Sequence, residues 1–82
     1  MTLAAFTNLA EDDRFILWHT TSVQIAERET VENFFALFQL DSFYVEMKFF
    51  KLSEREPVMY AFSDERHLGP YLYGININGA FS

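Results

Sequence analysis

Apolar residues alternate with period two through the middle of this chain and recur at wider spacing towards both ends. In "VENFFALFQL", residues 31–40, Glu32, Phe34, Ala36, Phe38 and Leu40 share one face of an extended chain. Val31, Asn33, Phe35, Leu37 and Gln39 take the other. The run "FYVEMKFFKL", residues 43–52, puts Phe43, Val45, Met47, Phe49 and Lys51 on one face and Tyr44, Glu46, Lys48, Phe50 and Leu52 on the other. Between them lies Asp41-Ser42, a turn-forming pair. A hairpin closed on those two residues sets Leu40 opposite Phe43, Phe38 opposite Val45, Ala36 opposite Met47 and Phe34 opposite Phe49. Glu32 then meets Lys51 at the open end, an opposite-charge cross-strand pair. A one-residue slip would scramble this face, and a helix over 31–40 would carry phenylalanine on every side. The pattern predicts a hairpin.

A third strand follows at about 57–62. "SERE", residues 53–56, is a charged connection, and Pro57 can open a strand where no ladder donor is needed. A four-residue link of that kind sets Lys51 opposite Val58, Phe49 opposite Tyr60 and Met47 opposite Phe62, with Met59 and Ala61 on the far face. Before the hairpin, Asn8 and Glu11 have capping-box spacing. Leu9, Ile16 and Val23 lie seven apart, with Phe15, Trp18, Ile25 and Ala26 widening the stripe, which predicts a helix over about 9–28. The stiff Thr and Val of "HTTSV" favour extended chain, so a strand at Phe15–Val23 is the alternative. After the third strand, Ser63 can cap a helix whose first turn holds Asp64 and Glu65. Leu68, Tyr71, Leu72 and Ile75 share its face, and Gly69-Pro70 kinks it, since proline costs about 3 kcal/mol inside a helix. The expected architecture is α+β in the order α-β-β-β-α. It is one domain over residues 1–82: helix 9–28, strands 31–40, 43–52 and 57–62, kinked helix 64–75 and tail 76–82. The strands form a three-stranded antiparallel meander with both helices on one face.

The stretches "FFALFQLDSFYVEM" and "YAFSDERHLGPYLYGI" resemble a group of short uncharacterised bacterial proteins. These share an aromatic FYVEV-like strand and an L-x-PYL segment near the C-terminus. The likeness spans about Leu17 to Ile77, and Leu68, Pro70, Tyr71 and Leu72 are its most specific part. It implies the same architecture and no activity.

Composition narrows the function. Eighty-two residues without a cysteine allow neither disulfides nor thiolate metal sites, so stability must come from a dense core or an oligomer interface. Half the residues are apolar and 18% aromatic, which excludes a disordered chain. The net charge is −6, and the six cations Arg14, Arg28, Lys48, Lys51, Arg55 and Arg66 form no basic stripe, so nucleic-acid binding is not expected. No apolar run approaches the ~20 residues of a membrane helix. "MTLAAFTNLAEDD" lacks the basic start of a secretory signal, and a cytoplasmic protein without membrane partners is expected.

The chemistry-bearing residues are sparse. Asp64 and His67 could share a helical face, but as metal ligands they make half a site, and His19 reads as a boundary residue. Ser22, His19 and Asp12 or Asp13 supply the residue types of a hydrolase triad without a G-x-S-x-G elbow. Glu54 and Glu56 lie in a turn, and three glycines build no phosphate loop. Neither catalysis, nor a metal, nor a cofactor is expected. What calls for explanation is the second face of the sheet, where Phe35, Leu37, Tyr44, Phe50, Leu52 and Met59 form an apolar patch rimmed by charge. The expectation is a non-catalytic interaction module that forms a homodimer face to face through this patch or along an edge strand, with another protein, or burial by the N-terminal segment, as the other ways to cover it. The alternative is a small-ligand binder with an aromatic pocket of Trp18, Tyr60 and Tyr71 between helices and sheet.

Overall fold

The computed structural model describes residues 1–71. Two helices, α1 (Leu3–Thr7) and α2 (Glu11–Thr21), precede four strands, β1 (Val23–Glu29), β2 (Asn33–Leu40), β3 (Phe43–Phe50) and β4 (Val58–Phe62). A 3-10 turn, Glu65–Leu68, follows. The strands form one antiparallel meander in the order β1-β2-β3-β4. The fold is α+β, with one strand more than the sequence pattern predicts.

The central hairpin has the predicted register. Leu40 pairs with Phe43, Phe38 with Val45, Ala36 with Met47 and Phe34 with Phe49. Asp41 turns the chain with φ 55°, a left-handed conformation that Asp tolerates better than most residues. Leu40, Phe43, Val45 and Met47 are fully buried on one face, each such burial being worth about 1.5–3 kcal/mol. The open end differs from expectation. Lys51 donates a backbone hydrogen bond to the Glu32 carbonyl at 3.0 Å, but its ammonium goes to the Glu29 carboxylate and the Thr30 carbonyl instead of the Glu32 side chain.

The helix expected over 9–28 is instead a helix, a break and a strand. Asn8 ends α1, and Ala10, with no side-chain cap, begins α2, so the Asn8/Glu11 capping box is not formed. The strand alternative at Phe15–Val23 is not realised either, since those residues are helical to Thr21. Ser22 then turns extended, and its Oγ donates to the Trp18 carbonyl at 2.5 Å while Thr20 Oγ1 donates to Ile16 at 2.8 Å. Such hydroxyl back-bonds compete for the carbonyls a continuing helix needs. From Val23 the chain pairs with β2, and a three-residue loop closes the hairpin through Thr30 N–H donating to the Asn33 carbonyl at 2.8 Å. A bulge at Ile25 interrupts this edge strand, a device that disfavours unwanted edge pairing.

The third register differs by an odd number of residues. Lys48, not Lys51, pairs with Val58, followed by Met47 with Met59, Glu46 with Tyr60, Val45 with Ala61 and Tyr44 with Phe62. The connection therefore runs through residues 51–57, and the odd shift exchanges the faces of β4. Met59 and Ala61 pack into the buried cluster with Phe6, whereas Val58, Tyr60 and Phe62 lie on the opposite side. The smaller pair belongs there because α1 lies against β4 on that face. Phe6, fully buried and tilted 5.2 Å from Phe43, is the anchor of α1. Five residues make no stable helix by themselves, so α1 exists through this contact and the Thr2 cap on the Ala5 N–H.

The layers also divide differently from expectation. Phe15, Leu17 and Trp18 of α2 cover the Phe43–Val45–Met47 face, while Leu68 and Tyr71 pack with Phe35, Leu37 and Phe62 on the other. Helical segments thus cover both faces, not one. Asp64, not Ser63, caps the final turn by accepting from the Arg66 N–H at 2.9 Å. That turn ends at Leu68, residues 69–71 follow it directly in helical conformation with Gly69 at φ −48°, and the remainder of the kinked helix expected over 64–75 lies outside the described residues. Leu72, Ile75 and the tail expected at 76–82 lie outside the described residues.

The β4 register has a direct test. Met59→Glu should cost about 2 kcal/mol of unfolding free energy in urea, while Val58→Glu, exposed and beside Lys48, should stay within about 0.5 kcal/mol. The unshifted register demands the reverse order.

Candidate functional site

The second face of the sheet carries side chains in cross-strand rows. Arg28, Phe35, Lys48 and Val58 make one row, and Ala26, Leu37, Glu46 and Tyr60 the next, with Tyr44 and Phe62 paired beyond them. Three charged residues, Arg28, Lys48 and Glu46, thus enter an otherwise apolar surface. Arg28 lies with its guanidinium 3.8 Å from the centre of the Phe35 ring and 5.3 Å from that of Tyr71. Glu46 Oε2 stands 3.6 Å from Arg28 Nη2 and accepts the Tyr71 hydroxyl at 2.6 Å. Tyr71 is almost wholly buried, and that burial, followed by the bond to Glu46 and its negative charge, pushes the phenol well above its ordinary pKa. Ring faces, more than hydrogen bonds, hold the guanidinium. Its Nε is buried without an acceptor among the described residues, and about a quarter of the side chain (27%) is exposed.

Around this cluster lies a cleft of about 240 Å³, lined by Arg28, Glu46, Tyr60, Phe62, Arg66, His67 and Pro70. Tyr60 stacks on Phe62 at 5.5 Å, and the His67 ring stands edge-on to Tyr60 at 5.6 Å. Arg66 Nε donates to Asp64 Oδ2 at 2.8 Å, and this bond holds the Asp64 carboxyl below the usual carboxylate range. At the other end of the same face a second cleft of about 360 Å³ is lined by Glu32, Asn33, Lys48, Phe50, Leu52, Ser53 and Arg55. There Arg55 sits 4.4 Å from the Phe50 ring centre and Lys48 5.2 Å.

The expected patch is therefore divided. Phe35 and Leu37 are buried beneath the C-terminal segment, and Tyr44 is half-buried against Phe62. Phe50 and Leu52 remain at the open end, Leu52 76% exposed. Met59 faces the helical layer and is not part of this surface. Nor does the expected aromatic pocket gather in one place. Trp18 projects from α2, edge-on to Phe38 at 5.3 Å, while Tyr60 and Tyr71 lie on the far side of the sheet. His19 is exposed beside Trp18, far along the chain from the His67 ring cluster.

Sequence reasoning missed Arg28, Glu46, Phe62 and the residues of the final turn as neighbours. Glu46 carried a signal: it is the only acid within "FYVEMKFF", so it needed a cation or donor from an adjacent strand. Arg28 was hidden by its assignment to a helix. No protein-family model, curated protein or solved structure matches the chain. No described helix is long and apolar enough to cross a membrane.

Tyr71 provides a pH test. An unfolded tyrosine ionises near pH 10, and the folded Tyr71 ionises above that, so the folded state keeps its proton where the unfolded chain has lost it. The stabilisation is fully present below about pH 10 and is lost as pH rises further. Tyr71→Phe should cost about 1 kcal/mol at neutral pH, and the gap to wild type should narrow in urea titrations above about pH 10. A gap that widens with pH would contradict the Tyr71–Glu46 bond.

Proposed function

We propose that this domain is a non-catalytic interaction module that self-associates through the open end of the second face, around Phe50 and Leu52. The observation that carries this reading is the make-up of that cleft. Apolar Phe50 and Leu52 sit among Lys48, Arg55 and Glu32, so one small patch holds both signs of charge around an apolar centre. A two-fold interface joins a patch to itself, and such a patch is self-complementary: the cations of one copy meet Glu32 of the other while the apolar centres bury each other. Phe50, already flanked by two cations, is the expected energetic centre.

Mass measurement by light scattering after size exclusion tests this. Wild type should run as a dimer whose fraction falls on dilution, and Phe50→Glu and Leu52→Glu should run as folded monomers. Ile16→Glu, an exposed position on α2, should leave the dimer intact. A wild-type monomer at high concentration, or a dimer that survives Phe50→Glu, would overturn the proposal.

A further inference from the structure

We infer that the cleft over Arg28, Glu46 and Tyr60 is a binding site for a small neutral planar heterocycle that carries adjacent N–H and C=O groups. The charges lining it are balanced. Arg28 stands beside Glu46, and Arg66 at the rim is paired with Asp64. An anion entering would face Glu46 and a cation would face Arg28, so net charge on a ligand gains little. What the centre offers is a donor next to an acceptor. Glu46 Oε2 is taken by the Tyr71 hydroxyl, which leaves Oε1 to accept. The Arg28 guanidinium, stacked on Phe35, has outer N–H groups not committed to Glu46, since the 3.6 Å separation exceeds hydrogen-bond length. A lactam or imide edge carries a carbonyl and an N–H on neighbouring atoms, the same adjacency that side chains use to read base edges.

The walls favour a flat molecule. Tyr60 keeps 48% of its surface open, and its ring is backed by Phe62 and braced by His67. An aromatic face held in this way is a stacking platform. The cleft, about 240 Å³, lies below the range typical for drug-sized ligands, which limits the occupant to one ring or two. The site stands at the opposite end of the face from Phe50, and neither requires the other.

Uracil is a suitable probe, with 1,3-dimethyluracil as the analogue that keeps the ring and lacks both N–H groups. Titration of the wild-type protein, followed by NMR of the aromatic side chains, should give saturable shifts at Tyr60 and His67. Binding should weaken at least about tenfold for 1,3-dimethyluracil, and by a similar factor in Tyr60→Ala, an exposed position whose truncation leaves the core intact. Absence of saturable shifts up to the solubility of uracil would overturn the inference. Equal binding of the dimethyl analogue would overturn the donor–acceptor recognition, and tighter binding of benzoate would replace the neutral class with an anionic one.

Discussion

The pairing of β2 with β3 is the constraint on which the other elements depend. Its two-residue loop sets the register, and the register places Leu40, Phe43, Val45 and Met47 on one face as a continuous apolar floor. Phe6, Phe15 and Trp18 pack onto that floor, so the helical layer is a consequence of it. The edge strands are dependent in the same way: among the described residues, β1 pairs only with β2, and β4 only with β3.

Because the sheet is covered on both faces, its second face serves two purposes. The central rows form a minor core beneath Leu68 and Tyr71, and the end rows stay open. The polar trio at the centre belongs to that minor core. A lone Glu46 would be costly there, and Tyr71 and Arg28 together offset its desolvation. Arg28 in turn relies on Phe35 and Tyr71, whose rings accept the guanidinium face.

The central hairpin was legible because local and long-range signals agree there: strict alternation, a turn pair and matched residues across the strands. The N-terminal region was not. Leu9, Ile16 and Val23 imitate a heptad stripe, yet Ile16 and Val23 are exposed, and Ser22 ends the helix with a side-chain bond that periodicity does not reveal. Phe6, the most deeply buried aromatic of the first strand-free third, has Leu3 and Leu9 three residues to either side, but it precedes Asn8, the cap from which the helix was counted, and so fell outside the stripe. The β4 register failed for a different reason. Its parity depends on the length of an irregular link, and "KLSEREP" gives no turn type from which to count. That single parity error moved Met59 into the proposed patch, moved Tyr60 and Phe62 out of it, and concealed the ring cluster next to Glu46. The candidate site was therefore readable as a surface, through Phe50 and Leu52, but not as a constellation.

The sheet also acts as an optical partition. Trp18, the one tryptophan, lies in the helical layer, whereas the three tyrosines among the described residues, Tyr44, Tyr60 and Tyr71, occupy the opposite side. Tryptophan emission thus reports on the packing of α2 against the hairpin, and the signals of these three tyrosines report on the C-terminal cover. If the cover loosens while the main core stays closed, the two chromophores will register different transitions, and a single fluorescence trace will miss one of them.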